Sequence, residues 1–255
     1  MKNEGMGQSL DSTIPVSMLD AWAPGGVPNM APANSGQPVQ KDSLVLMDTH
    51  YHPTGSGTET DSKTHLGLML SKTKPAFISR VILLGNFKDH NESQYGISDL
   101  LKQKGESAPE FMIPAGEKAH VEEMTWTWAS LASGELKVYG MGTHMHYVGR
   151  DMRVTLVHKT PMAPEPKTEC LIETPAWNFN WQRGYAYDGS MDELPSMREG
   201  DTLHIRCVFD NTMDNPYVLQ ALDDQGLRAP VDVPLGEDTL NEMCLAAIGI
   251  IYPNP

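Results

Sequence analysis

The chain has 255 residues, with 33 acidic against 19 basic side chains and a formal net charge of −14. That balance disfavours a nucleic-acid backbone or an anionic membrane surface as partner, because both are gripped by clustered Lys and Arg, and no such cluster occurs here. No apolar run approaches the roughly 20 residues of a membrane helix, so no membrane insertion is expected, while the length suffices for one large β domain or two smaller sandwiches.

Residues 1–41 are rich in Pro, Gly, Ser and Asn and read as irregular chain, without the charged and apolar stretches of a secretory leader. Residues 43–50 predict a short strand, Leu44-Val45-Leu46-Met47, running into His50-Tyr51-His52-Pro53 and a Gly/Ser/Thr-rich turn. Another strand is expected at 64–70. A new apolar run begins at Phe77, after Lys74-Pro75, and places a domain boundary between 1–76 and 77–255. Residues 88–110 are polar and read as an excursion from the sheet, with a short helix around 97–104. Strands then follow at 121–128, 136–147, 152–158, 202–209 and 243–252, spaced by Pro/Gly loops. Helical periodicity is nearly absent, and the pattern is that of a sandwich or jelly roll.

His144-Met145-His146 lies in one of these strands. Residues two apart share a face, so the two imidazoles can serve one ion while Met145 points away. Met243 is the candidate third ligand, since two imidazoles and a soft thioether hold Cu(I) and leave a coordination position open for a small molecule. The plainer alternative is two half-buried histidines satisfied by carbonyls, and Met243 is one of 16 methionines. His50 and His52 form a second such pair, with His50 the better placed to face inward because Pro53 ends the strand. His65, His90, His120, His158 and His204 have no partner at ligand spacing and read as structural. Cys207 sits in a strand and Cys244 beside Met243; they are either paired or two buried thiols, and Cys170 is left over on both readings. Phosphate loops, nucleophile motifs and CxxC pairs are absent.

In combination these segments resemble the copper type II ascorbate-dependent monooxygenases. The residues that carry the resemblance are His50-Tyr51-His52-Pro53, Ile113-Pro114-Ala115-Gly116-Glu117, Thr143 through Arg150, Gly200-Asp201-Thr202 with Cys207, and Asp238 through Cys244. It runs from about residue 21 to 252, and Trp177-Asn178-Phe179-Asn180-Trp181-Gln182 sets it nearest the bacterial members. The resemblance implies an all-β chain of two consecutive antiparallel β-sandwich, jelly-roll-like domains, the first incomplete, each carrying one copper. His144, His146 and Met243 then hold the catalytic copper, where O2 reacts and a small-molecule substrate is hydroxylated at a C–H bond. His50 matches a ligand of the electron-transfer copper, ascorbate is the reductant, and Cys207 pairs with Cys244. A disulfide needs an oxidising compartment, so a periplasmic or secreted location is implied.

Two departures stand out. The family's adjacent His-His pair belongs upstream of Ala21-Trp22-Ala23-Pro24, yet no histidine precedes His50, so an N-terminally truncated copy is expected. The positions that anchor a peptide carboxylate in the amidating members are here Gly142, Leu245 and Ala247, so peptide amidation is not expected. The alternative to an enzyme is a non-catalytic single-copper sandwich that stores or senses copper or serves as a partner module.

Overall fold

Two-residue alternation of apolar and polar side chains sets the central strands. In β11 (Thr202–Phe209), Leu203, Ile205, Cys207 and Phe209 are fully buried while the intervening residues are half-exposed. β7 (Gly149–Val157) does the same with Met152, Val154 and Leu156. The structure, a computed structural model, describes residues 19–22, 26, 28, 30–39, 41–43, 45, 47, 49, 51, 57, 58, 60–85, the backbone of 99–100, 111–128, 134–236 and 238–255.

β11 lies between β7 and β5 (His120–Thr127), antiparallel to both. β3 (Asp99–Leu100) and β8 (Thr168–Thr174) complete a five-stranded sheet in the order β3-β5-β11-β7-β8. Its outer face is charged, with Arg206 bridging Glu123 at 3.5 Å and Asp151 at 3.6 Å. The opposing sheet is built on β13 (Leu245–Pro253), which is antiparallel to β2 (Phe77–Gly85) on one side and β6 (Glu135–His144) on the other. β1 (Ser35–Gly36) extends β2 in parallel, and β9 (Gly184–Ala186) and β10 (Ser196–Arg198) both pair with β6.

The core fills the space between the sheets, with Leu84, Val138, Ile248 and Ile250 on one side and Met124, Met152, Val154, Leu203 and Ile205 on the other. Each such side chain removed from water contributes about 1.5 to 3 kcal/mol. The Cys207 to Cys244 disulfide crosses this core, joining β11 of one sheet to the residue before β13 of the other, with a Cα separation of 6.0 Å. A smaller pair, β4 (Met112–Ile113) with β12 (Val233–Pro234), lies outside the two main sheets.

The all-β expectation holds, and the strand expected at 202–209 coincides with β11. Four local departures are seen among the described residues. Residues 64–70 carry no strand and every side chain is exposed, and none of the described positions in 43–50 is in a strand. Apolar residues alone do not make a strand, because the backbone groups need a neighbouring edge to bond. Of the helix expected around 97–104 only Asp99–Leu100 lies within the described residues, and these two pair with β5 as a strand, since the free edge of β5 offers those bonds. Finally, α1 (Pro216–Asp224) forms where no helix was expected. Asn215 caps it by accepting from Tyr217 N at 3.1 Å, Pro216 opens its first turn, and Val218, Ala221 and Leu222 are its buried stripe.

Candidate metal centre

β6 ends at His144, which pairs with Leu245 at the start of β13. Past that pair the two strands end, and His146 and Met243 lie in the segments that continue from them. His144, His146 and Met243 are all half-buried. Met145 and Cys244 are both fully buried in the core.

Where the strand ladder stops, Glu242 takes over. Its side chain is fully buried, and its carboxylate accepts the backbone N–H of His146, of Met243 at 2.8 Å and of Val148 at 3.2 Å. One carboxyl group thus ties both ligand-bearing segments together. Burial dominates over the converging N–H donors and holds it up at about 8.

Each imidazole is oriented through its Nδ1 atom. His144 Nδ1 donates to Gln182 Oε1 at 2.7 Å; Gln182 Nε2 in turn donates to the Phe179 carbonyl at 2.9 Å, which fixes the direction of the amide. His146 Nδ1 donates to the Asn241 carbonyl at 2.9 Å. In both rings Nδ1 is thereby engaged as a donor, the arrangement seen when a neighbouring acceptor orients an imidazole. The ring centroids are 5.2 Å apart and the planes nearly perpendicular. Burial and the neighbouring His146 push the His144 ring down to about 4 against the pull of Gln182, so it is neutral at pH 7.

Aromatic side chains close around the pair. Buried Trp177 donates from Nε1 to the His146 carbonyl at 3.0 Å, and its ring centroid lies 6.4 Å from that of His144. Phe179 lies 6.3 Å from His146 and stacks on Tyr147 at 4.4 Å. Gly149 makes the packing possible, because a Cβ there would stand 2.7 Å from Met145 Cβ and 3.0 Å from Trp177 Cδ1. Gly142 pairs with Ala247 and Leu245 with His144, so these three positions adjoin and form an uncharged floor beside the histidines.

The other sequence candidates fall elsewhere. His50 and His52 lie outside the described residues, as does His90. His65 is exposed, and Cys170 is an exposed free thiol. His158 is fully buried between Asp201 at 3.1 Å and Glu169 at 3.3 Å, His120 bonds Glu122 at 2.7 Å, and His204 lies 3.7 Å from Glu123. These are contacts that brace strands and turns. Among the described residues no three of His, Cys, Asp and Glu cluster as a metal site, and a donor of another kind near the two imidazoles would be a thioether. The Met243 thioether is of that kind, and the set fits a soft, low-valent ion.

Sequence reasoning did not find Gln182, Asn241, Glu242 or Trp177 as supports. Gln182 is 38 residues from His144 and Glu242 is 96 from His146, so no spacing rule links them. The one available signal was the amide- and aromatic-rich run 177–182.

A family model described as copper type II ascorbate-dependent monooxygenase, C-terminal domain, matches residues 99–225. That span includes His144, His146, Trp177, Gln182 and Cys207 and stops short of Met243. No curated protein matches the chain.

Proposed function

The chain belongs to the copper type II ascorbate-dependent monooxygenase family, and from that premise we propose that His144, His146 and Met243 are the ligands of its catalytic copper, in an enzyme that hydroxylates a substrate C–H bond with O2 and ascorbate. The observation that supports this most is the pair of Nδ1 hydrogen bonds, which orient two rings with centroids 5.2 Å apart and tie His146 to the Asn241 carbonyl, two residues before the Met243 thioether. Copper held there would supply one-electron chemistry toward O2 and an open coordination position.

The protein's own part is orientation. Gln182 and the Asn241 carbonyl hold the rings, Glu242 holds the backbone on both sides, and Trp177 holds the His146 carbonyl. Gly142, Leu245 and Ala247 offer a carboxylate no charged partner, and each missing bond of that kind costs about 1.5 to 3 kcal/mol. The part of the substrate lying over the histidines is therefore neutral. By resemblance alone, His50 belongs to the second, electron-transfer copper and residues 1–76 to the domain that carries it. The disulfide fits a periplasmic or secreted protein.

The test is copper stoichiometry on the Cu(I)-loaded chain, with oxygen uptake measured in the presence of ascorbate. One tightly held copper is expected, lost in His144→Ala and weakened in Met243→Ile, with uptake falling in both. Unchanged affinity and uptake in Met243→Ile would reject the thioether as a ligand. Tight copper without ascorbate-dependent uptake would identify the non-catalytic copper-binding sandwich instead.

A further inference from the structure

Beside the segment 176–185 is a cleft of about 270 Å³ whose lining includes Thr143, Thr174, Asn178, Trp181, Arg183 and Tyr185. Gln182 bonds His144, while its neighbours Trp181 and Arg183, together with Tyr185, line the cleft. The chain carries 33 acidic residues, yet among the described residues no acidic side chain lines this cleft.

Its hydrogen-bonding capacity is biased toward donors. Arg183 makes no ion pair among the described residues; its guanidinium carbon sits 3.8 Å from the centroid of the Trp181 ring, and its buried Nε has no hydrogen-bond partner among them. Asn178 Oδ1 already accepts from Asn180 N at 2.9 Å, so the amide protons remain. The Tyr185 hydroxyl accepts from Trp181 Nε1 at 3.2 Å and keeps its own proton. The Thr143 and Thr174 hydroxyls bond each other at 3.0 Å, which consumes one of their two protons. A guanidinium fork, a phenol, an amide and one hydroxyl proton remain to be accepted by a ligand.

We propose that this cleft is an anion-binding site for a small organic oxyanion of carboxylate type, its charged end on Arg183 and its planar body against Trp181. Guanidinium and carboxylate match as two parallel N–H···O bonds, and a cation already stacked on an indole is held in the orientation that such a fork requires. The ligand has two possible sources with the same chemistry: an acidic end of the substrate, or the ascorbate anion on which the family depends. The site stands on its own residues and does not require the copper assignment, although Thr143 and Gln182 join it directly to the metal-facing strand and loop.

Isothermal titration calorimetry on the metal-free full chain tests this, using benzoate, ascorbate under anaerobic conditions, and neutral benzamide. Benzoate or ascorbate is expected to bind and benzamide not to. Arg183→Gln is expected to weaken the anion about 10- to 100-fold, Arg183→Lys to restore part of the loss, and Tyr185→Phe to cost a few-fold. Preference for ascorbate over benzoate assigns the site to the reductant, and the reverse assigns it to a substrate acid. Benzamide binding as tightly as benzoate, affinities unmoved in both Arg183→Gln and Tyr185→Phe, or no binding of either anion to the native chain would overturn the proposal. Arg183 is half-buried and outside the core, so its variants should fold, which circular dichroism checks.

Discussion

At His144, a proposed copper ligand, burial also sets how the metal-free protein responds to acid. Its ring is pushed down to about 4 in the folded chain from an ordinary 6.5, so between those values the unfolded state binds more protons and stability falls as pH falls. The stabilising contribution is complete above pH 6.5 and lost on acidification toward 4. The metal-free chain is expected to lose up to about 3 kcal/mol from this ring across the window, and His144→Phe to lose that share of the slope, as read by urea unfolding at pH 7 and 4.5. Parallel slopes in the two proteins would contradict the burial argument. Gln182 acts on the same ring through one bond of 2.7 Å. Gln182→Leu removes the acceptor and frees the tautomer, and is expected to lower Cu(I) affinity about 10- to 100-fold with the melting temperature little changed. Competition with a chromophoric Cu(I) chelator measures it, and an unaltered affinity would remove Gln182 from the support of the site. The two histidines were legible in sequence because H-x-H on a strand is a local pattern. Their supports were not, because a carbonyl or an amide becomes a support only when the fold brings it within hydrogen-bond reach.

Among the elements, the turn from β6 into β7 is held by close approach. Gly149→Ala would set a Cβ 2.7 Å from Met145 Cβ and 3.0 Å from Trp177 Cδ1. It is expected to cost about 1 to 3 kcal/mol and to weaken copper binding by shifting Trp177 off the His146 carbonyl; chemical unfolding and copper titration on one preparation measure both. The helix α1 makes the opposite point about reading a sequence. Asn215-Pro216 followed by Val218, Ala221 and Leu222 is a legible cap and stripe, but nine residues among long β runs give too weak a period to notice. The strand expected at 64–70 shows the converse failure, since its leucines are apolar and nonetheless exposed. Pattern proposes a strand, and a partner edge decides it.

Across the whole molecule, the two sheets and the candidate site are joined by one covalent link. The disulfide closes a loop of 37 residues between the sheets, for which chain entropy gives about 4 kcal/mol. Replacing both Cys207 and Cys244 by Ala is expected to lower stability by about that amount and to loosen Met243, one residue away, so that melting temperature and copper affinity fall together; affinity holding while stability drops would show that Glu242 alone positions the ligand. The sequence by itself determined what depends on neighbours along the chain: which faces of the β strands are apolar, that His144 and His146 share a side, that acidic composition leaves nucleic acid unfavoured as a partner, and, through resemblance, which cysteines pair. Only the tertiary structure decided the register of β6 against β13, the fully buried carboxylate of Glu242 bonded to both ligand segments, the acceptors on each Nδ1, and the cleft with Arg183 at its wall. The reason is physical: alternation is set by bond geometry within a strand, whereas hydrogen-bond partners tens of residues apart are selected by packing that no local pattern encodes.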